Sequence, residues 1–105
     1  MLQKPLTIKA LQTHIKTIDF SPEKQYEVVL KLFEEVGELS EEMRKAHQEG
    51  LTTTNKTNIQ YELYDVIHYV THIANIYGID LEEAIIKKDK INEKRYQDKR
   101  RVNHD

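Results

Sequence analysis

The stretch Lys31-Leu32-Phe33-Glu34-Glu35-Val36-Gly37-Glu38-Leu39-Ser40-Glu41-Glu42, answered further on by Glu62-Leu63-Tyr64-Asp65, decides how this chain reads. On a helix successive side chains turn by about 100°, which places Lys31, Glu35, Glu38 and Glu42 within an arc of roughly 60°. Tyr26, Val29, Leu30, Phe33, Val36 and Met43 lie on nearly the opposite side. The segment is therefore predicted to be an amphipathic helix, with acids turned to solvent unless a second feature claims them.

Glu62 and Asp65 are that feature. They stand at i, i+3 in a segment whose apolar members are Ile59, Leu63, Val66, Ile67, Val70, Ile73, Ala74 and Tyr77. Those residues fill an arc of roughly 120°, with Glu62 at its margin and Asp65 about 60° further round. A carboxylate at the edge of a buried face is costly without compensation, and two helices each presenting two such groups point to a shared divalent cation. Glu35, Glu38, Glu62 and Asp65 are the predicted ligands. The chain has no cysteine, and hard oxygen ligands favour Mg²⁺ or Mn²⁺ over zinc.

The remainder bounds the setting. A chain of 105 residues, 32% charged and 38% hydrophobic, fits one domain over 1–105 whose core is thin enough to favour an oligomer. A net charge of −2 argues against non-specific binding to nucleic acid or membrane. No apolar run approaches the roughly 20 residues of a membrane helix, and the start lacks the apolar centre of a signal peptide, so a cytoplasmic protein is expected.

Local signals divide the chain into helices over about 5–18, 22–49, 56–77 and 80–97. Pro5 suits a first turn, and Asp19-Phe20-Ser21-Pro22-Glu23 joins a side-chain cap to a proline at a helix start. Gly50 and the polar string after it stop the second helix, Thr57 or Thr54 caps the third, and Gly78 ends it. Asp80-Leu81-Glu82-Glu83 starts the fourth, which is expected to pack antiparallel to the third and to fray after Tyr96. Without any alternating strand pattern, the expectation is an all-α, four-helix bundle-like protomer. Gly37 is expected where two helices approach closely.

Helix four begins its inward face with Leu81, Ala84 and Ile85 and continues it as Lys88, Asn92 and Arg95, all within roughly 100°. Cations there suit the anionic tail of a polyphosphate, Arg95 through its guanidinium fork. Other groups are read as structural. His68 and His72 have the i, i+4 spacing of a transition-metal grip, but a di-iron bundle would require Glu-x-x-His on two helices, and only Asp65-x-x-His68 comes near. Tyr61, Tyr64, Tyr69 and Tyr77 are expected to pack, with Tyr69 on the side of the acids.

Glu-Glu-x-x-Glu, followed after 23 residues by Glu-x-x-Asp, resembles the signature of the MazG-like all-α nucleoside triphosphate pyrophosphohydrolases. The likeness also takes in Lys31, Gly37, Glu62-Leu63-Tyr64-Asp65-Val66-Ile67, Tyr77-Gly78-Ile79-Asp80-Leu81-Glu82 and Lys88-x-x-x-Asn92-x-x-Arg95, across most of residues 26 to 96. It implies a nucleoside triphosphate substrate cut at the α-phosphate to a monophosphate and pyrophosphate, and a homodimer or homotetramer whose neighbouring subunits complete the pocket. It implies Mg²⁺ on Glu35, Glu38, Glu62 and Asp65, with Glu34, Glu35 and Glu38 as the catalytic acids. Glu34 would orient or deprotonate the attacking water, and Lys31, Lys88, Asn92 and Arg95 would meet the triphosphate. Where some members carry a lysine before the second motif this chain has Asn58, and no tryptophan is present to enclose a base. From the residues alone two alternatives stay open: a nucleotide- and metal-binding regulatory module without turnover, and a structural helical oligomer.

Overall fold

Thr7 Oγ1 accepts a hydrogen bond from the Ala10 amide (3.0 Å) and opens α1, Ile8–Ile18, so Pro5 lies before the helix rather than in its first turn. The computed structural model describes the backbone of residues 1–104 and the side chains of residues 1–99. A 3₁₀ turn at Pro22–Lys24 leads into α2, Gln25–Glu49. Ser21, at the cap position, makes no side-chain cap there, contrary to expectation, and the Asp19 carboxylate faces His68 instead. Gly50, at φ +87°, turns the chain out of α2. Thr52 then caps α3, Thr53–Ile76, by accepting from the Asn55 amide (3.1 Å), and Asn55 Nδ2 donates to Gly50 O (3.0 Å). The cap is thus neither Thr54 nor Thr57, and the corner is tighter than expected.

Gly78, at φ +63°, ends α3 with the paired bonds Ile79 N to Ala74 O (2.8 Å) and Gly78 N to Asn75 O (3.2 Å). Only glycine takes that left-handed geometry without cost. Asp80 Oδ1 accepts from the Glu83 amide (3.1 Å) and starts α4, Leu81–His104. The helix therefore continues past the point where fraying was expected; Asp105 lies outside the described residues. Among the described residues the chain is all-helical, with four α-helices and no strand, and no helix is long and apolar enough to cross a membrane.

α2 and α3 form the central hairpin, α1 packs on α3, and α4 packs chiefly on α1. The expected antiparallel pairing of α3 with α4 is not what forms, and Gln12 shows why. Its side-chain amide donates to Asn75 Oδ1 (3.1 Å) and Ile79 O (2.9 Å) and accepts from Leu81 N (2.9 Å). Asn75 Nδ2 returns a bond to Gln12 O (2.9 Å). These bonds fasten the α3–α4 corner to α1 and launch α4 along it.

Which face turns inward is the main departure from expectation. The buried and half-buried residues of α2 include Val28, Leu32, Glu35, Leu39, Glu42 and Ala46, and those of α3 include Asn55, Ile59, Glu62, Val66, Tyr69 and Ile73. Both series step alternately by four and three, the spacing of a coiled-coil seam. Each helix can offer its hairpin partner only one arc, and here it is the arc that bears acids. Most of the apolar arc of α2 and half of that of α3 face out: Tyr26 is 81%, Phe33 63% and Tyr77 62% exposed, and Leu30, Val36, Met43, Leu63, Ile67 and Val70 are exposed with them, while Val29, Ile59, Val66, Ile73 and Ala74 turn inward. Tyr61 and Tyr64 are likewise exposed, so only Tyr69 packs inside the protomer. A Cβ placed on Gly37 would meet nothing within 4 Å, which corrects its assignment to a close approach within this chain. The tightest core is small and sits where α1 meets the hairpin: Leu11, Ile15, Val28, Thr71, His72 and Ala74.

Candidate metal centre

Three of the four expected ligands converge. Glu35 of α2 and Glu62 and Asp65 of α3 each offer one carboxylate oxygen, and these oxygens lie within 4.8 Å of one another at half-buried positions. Glu35 Oε2 and Glu62 Oε2 are sealed from solvent and, with both acids ionised, have no hydrogen-bond donor, a costly state for anionic oxygen that only a proton shared between the two carboxyls relieves within the chain. Glu38, three residues after Glu35 and exposed, lies outside the trio, yet its charge acts on both Glu35 and Glu62.

Burial and crowding raise both Glu35 and Glu62. Burial first, then a hydrogen bond with Glu62 and the charges of Glu38, Asp65 and Glu62, push Glu35 up to about 7. Glu62 is pulled down by its hydrogen bond with Glu35, but burial and the charges of Glu38 and Asp65 outweigh that and leave it raised. A chain alone can hold such a group only by keeping a proton in it; a divalent cation does the same work without the proton. Tyr69, four residues beyond Asp65, is raised by burial and then by the charges of Asp19 and Glu35, with Lys31 opposing. Its hydroxyl stands in the same field.

The remaining expected site residues are not brought to the trio within one chain. Lys31 Nζ pairs with Glu34 Oε2 at 3.3 Å, both well exposed. Lys88 and Asn92 line a shallow depression on α4 with Ala84, Ile85 and Asp89. Lys88 and Arg95 are exposed, and among the described residues neither forms an ion pair with the acids. Asn58 donates to Glu42 Oε2 (3.3 Å), which is further from the trio along the same seam.

His72 is buried, His68 half-buried, and both turn toward Asp19: His68 Nε2 lies 2.8 Å and His72 Nδ1 3.3 Å from Asp19 Oδ2. Ser21 N donates to His72 Nε2 (3.0 Å). No local spacing signals this arrangement, because Asp19 and His68 are 49 residues apart.

The sequence profile of the MazG nucleotide pyrophosphohydrolase domain matches residues 23–98, the span that holds all of these glutamates and Asp65. This chain belongs to the MazG family. Crystal structures of iMazG from Vibrio DAT 722 are similar to it. The C-tagged form is 40% identical, covers 84% of this chain and 99% of its own, and superposes with a TM-score of 0.70. The N-tagged form is 40% identical, covers 87% and 98%, and gives 0.71. A comparison with curated proteins yields no match. The resemblance read from the two acidic motifs thus holds for the MazG family and for its helical fold.

Proposed function

We propose that this MazG-family chain is an Mg²⁺-dependent nucleoside triphosphate pyrophosphohydrolase that cleans the cytoplasmic nucleotide pool by converting ribo- or deoxyribonucleoside triphosphate and water to the monophosphate and pyrophosphate. The observation that carries the reading is the pair of sealed, partnerless oxygens on Glu35 and Glu62 beside Asp65. Anionic oxygens so placed fit an oxygen-seeking divalent cation, Mg²⁺ or Mn²⁺.

In this reading Glu35, Glu38, Glu62 and Asp65 hold the ion. When bound, it neutralises charge on phosphate oxygens and makes a nearby water more acidic. Glu34 orients that water and takes its proton, releasing Lys31 to a phosphate oxygen as it does so. The water oxygen bonds to the α-phosphorus while the bond to the bridging oxygen breaks, and pyrophosphate leaves with the electron pair. Lys88 and Arg95 offset the charge of the leaving group, and Asn92 hydrogen-bonds to phosphate or sugar. Positioning and electrostatics carry the rate, with no covalent intermediate.

The active form in this reading is a homodimer or homotetramer. The accessible surface of 8502 Å² is about 2,300 Å² more than a folded monomer of this mass exposes. The radius of gyration is 17.3 Å, against roughly 13 Å for a compact chain of this length. A second copy seated on the apolar arcs of α2 and α3 would cover that excess, and a neighbouring α4 would bring cations to acids that the chain's own α4 does not reach.

Pyrophosphate release from a panel of triphosphates tests the reading. Turnover should require Mg²⁺ or Mn²⁺, and Glu38→Gln should lower kcat by roughly a hundredfold or more. Absence of release from every triphosphate would overturn it.

A further inference from the structure

Asp19 closes α1, and its carboxylate is the meeting point of two imidazoles from α3. A backbone N–H can only donate, so the bond from Ser21 N to His72 Nε2 (3.0 Å) makes that nitrogen the acceptor and leaves the ring proton on Nδ1. Nδ1 faces Asp19 Oδ2 at 3.3 Å, short of the alignment of a full hydrogen bond, and His68 Nε2 reaches the same oxygen at 2.8 Å. A cation gripped by both rings would have to strip the His72 Nδ1 proton and push it toward Ser21 N–H, so this cluster is not a metal site. It is a fastener. His68 lies three residues beyond Asp65, its ring is edge-on to Tyr69 at 4.9 Å and to Tyr64 at 6.3 Å, and the Tyr69 hydroxyl feels both Asp19 and Glu35.

We propose that Asp19, His68 and His72 are positioning residues that clamp the α1–α2 connector to α3, fixing it as one wall of the triphosphate site without touching the metal. This rests on the triphosphate site proposed above. Phe20 is 40% exposed and Pro22–Lys24 buries no residue, so apart from Lys16 Nζ over the Phe20 ring (5.3 Å) and the Tyr77 hydroxyl donating to Gln25 Oε1 at the far end (2.8 Å), the three side chains are what lock the connector to α3. Loss of the clamp frees the wall while leaving the acids on α2 and α3 in place.

The test uses the full chain, with a non-hydrolysable α,β-imido triphosphate as the binding probe and Mn²⁺ as the metal probe. Asp19→Ala should weaken binding of the analogue by about five- to tenfold, as expected when a charge-assisted hydrogen bond is lost next to a site, and leave Mn²⁺ affinity unchanged. With a hydrolysable substrate KM should rise by the same factor and kcat should stay within about twofold. His72→Gln, which keeps an acceptor for Ser21 and a donor for Asp19, should bind the analogue nearly as the unaltered protein does, whereas His72→Leu should match Asp19→Ala. Nitrogen NMR of the unaltered protein should find the His72 proton on Nδ1. Unchanged analogue affinity in Asp19→Ala, or equal losses of Mn²⁺ and analogue binding, would overturn the clamp. An unaltered protein that binds the analogue but releases no pyrophosphate would overturn the proposed turnover alone.

Discussion

Glu35→Gln should stabilise the metal-free protein at alkaline pH and remove its response to Mg²⁺. The substitution keeps the side chain's shape and deletes the charge that Glu38, Asp65 and Glu62 oppose. In the folded chain Glu35 stands at about 7 against an ordinary 4.5. Because the folded value is the higher one, the native state holds the proton more tightly than the unfolded chain. The associated stability is fully present below about 4.5 and is lost as pH rises through about 7. The gap corresponds to about 3.4 kcal/mol at full ionisation. Halved for solvent reaching this half-open site, it leaves about 1.7 kcal/mol, which moves Tm by roughly 7–14 °C in a domain of this size. Circular-dichroism melts at about pH 5 and about pH 8, in chelator and at one protein concentration, measure it. About a quarter of the effect is already gone at pH 5, so between the two conditions the unaltered protein should lose roughly 5–10 °C more Tm than Glu35→Gln does, and Mg²⁺ should restore the unaltered protein only. If both proteins lose the same Tm in chelator, Glu35 is not kept protonated by its neighbours.

Thr52→Ala removes the cap of α3 and should cost about 1 kcal/mol, read as a lower denaturant midpoint with an unchanged m-value. Gln12→Ala deletes the side-chain bonds to Asn75, Ile79 and Leu81. It should cost about 2 kcal/mol and speed hydrogen exchange at the Leu81 amide well above its neighbours in α4. Phe33→Glu places a charge on the exposed apolar arc of α2 and should shift the protein to a smaller species in light scattering, with its helical content kept.

The number of helices and the pairing of the two acidic motifs are legible in the chain because caps, glycines and the helical period are local. The stops at Gly50 and Gly78 and the start at Asp80 lie where expected, and Glu35, Glu62 and Asp65 do come together. The orientation of the faces is not legible by the same means. Two periodicities compete in α2: a continuous apolar arc through Leu30, Phe33 and Val36, and a broken seam through Val28, Leu32, Glu35 and Leu39. Counting apolar residues favours the first, but the seam wins in the hairpin. Long-range partners are hidden for a different reason: the Gln12 fastening and the Asp19 cluster join residues more than 45 positions apart, through polar groups that carry no period.

Glu35 and Glu62 occupy places where an ordinary two-stranded rod would carry leucine. Swapping grease for acid at those two places would give a tougher, chemically mute spindle, since well-packed apolar groups commonly outperform buried charges in stability. Heat resistance and cation binding are therefore rivals for the same two addresses, and selection for durability alone would erase the acidic site before it erased the fold.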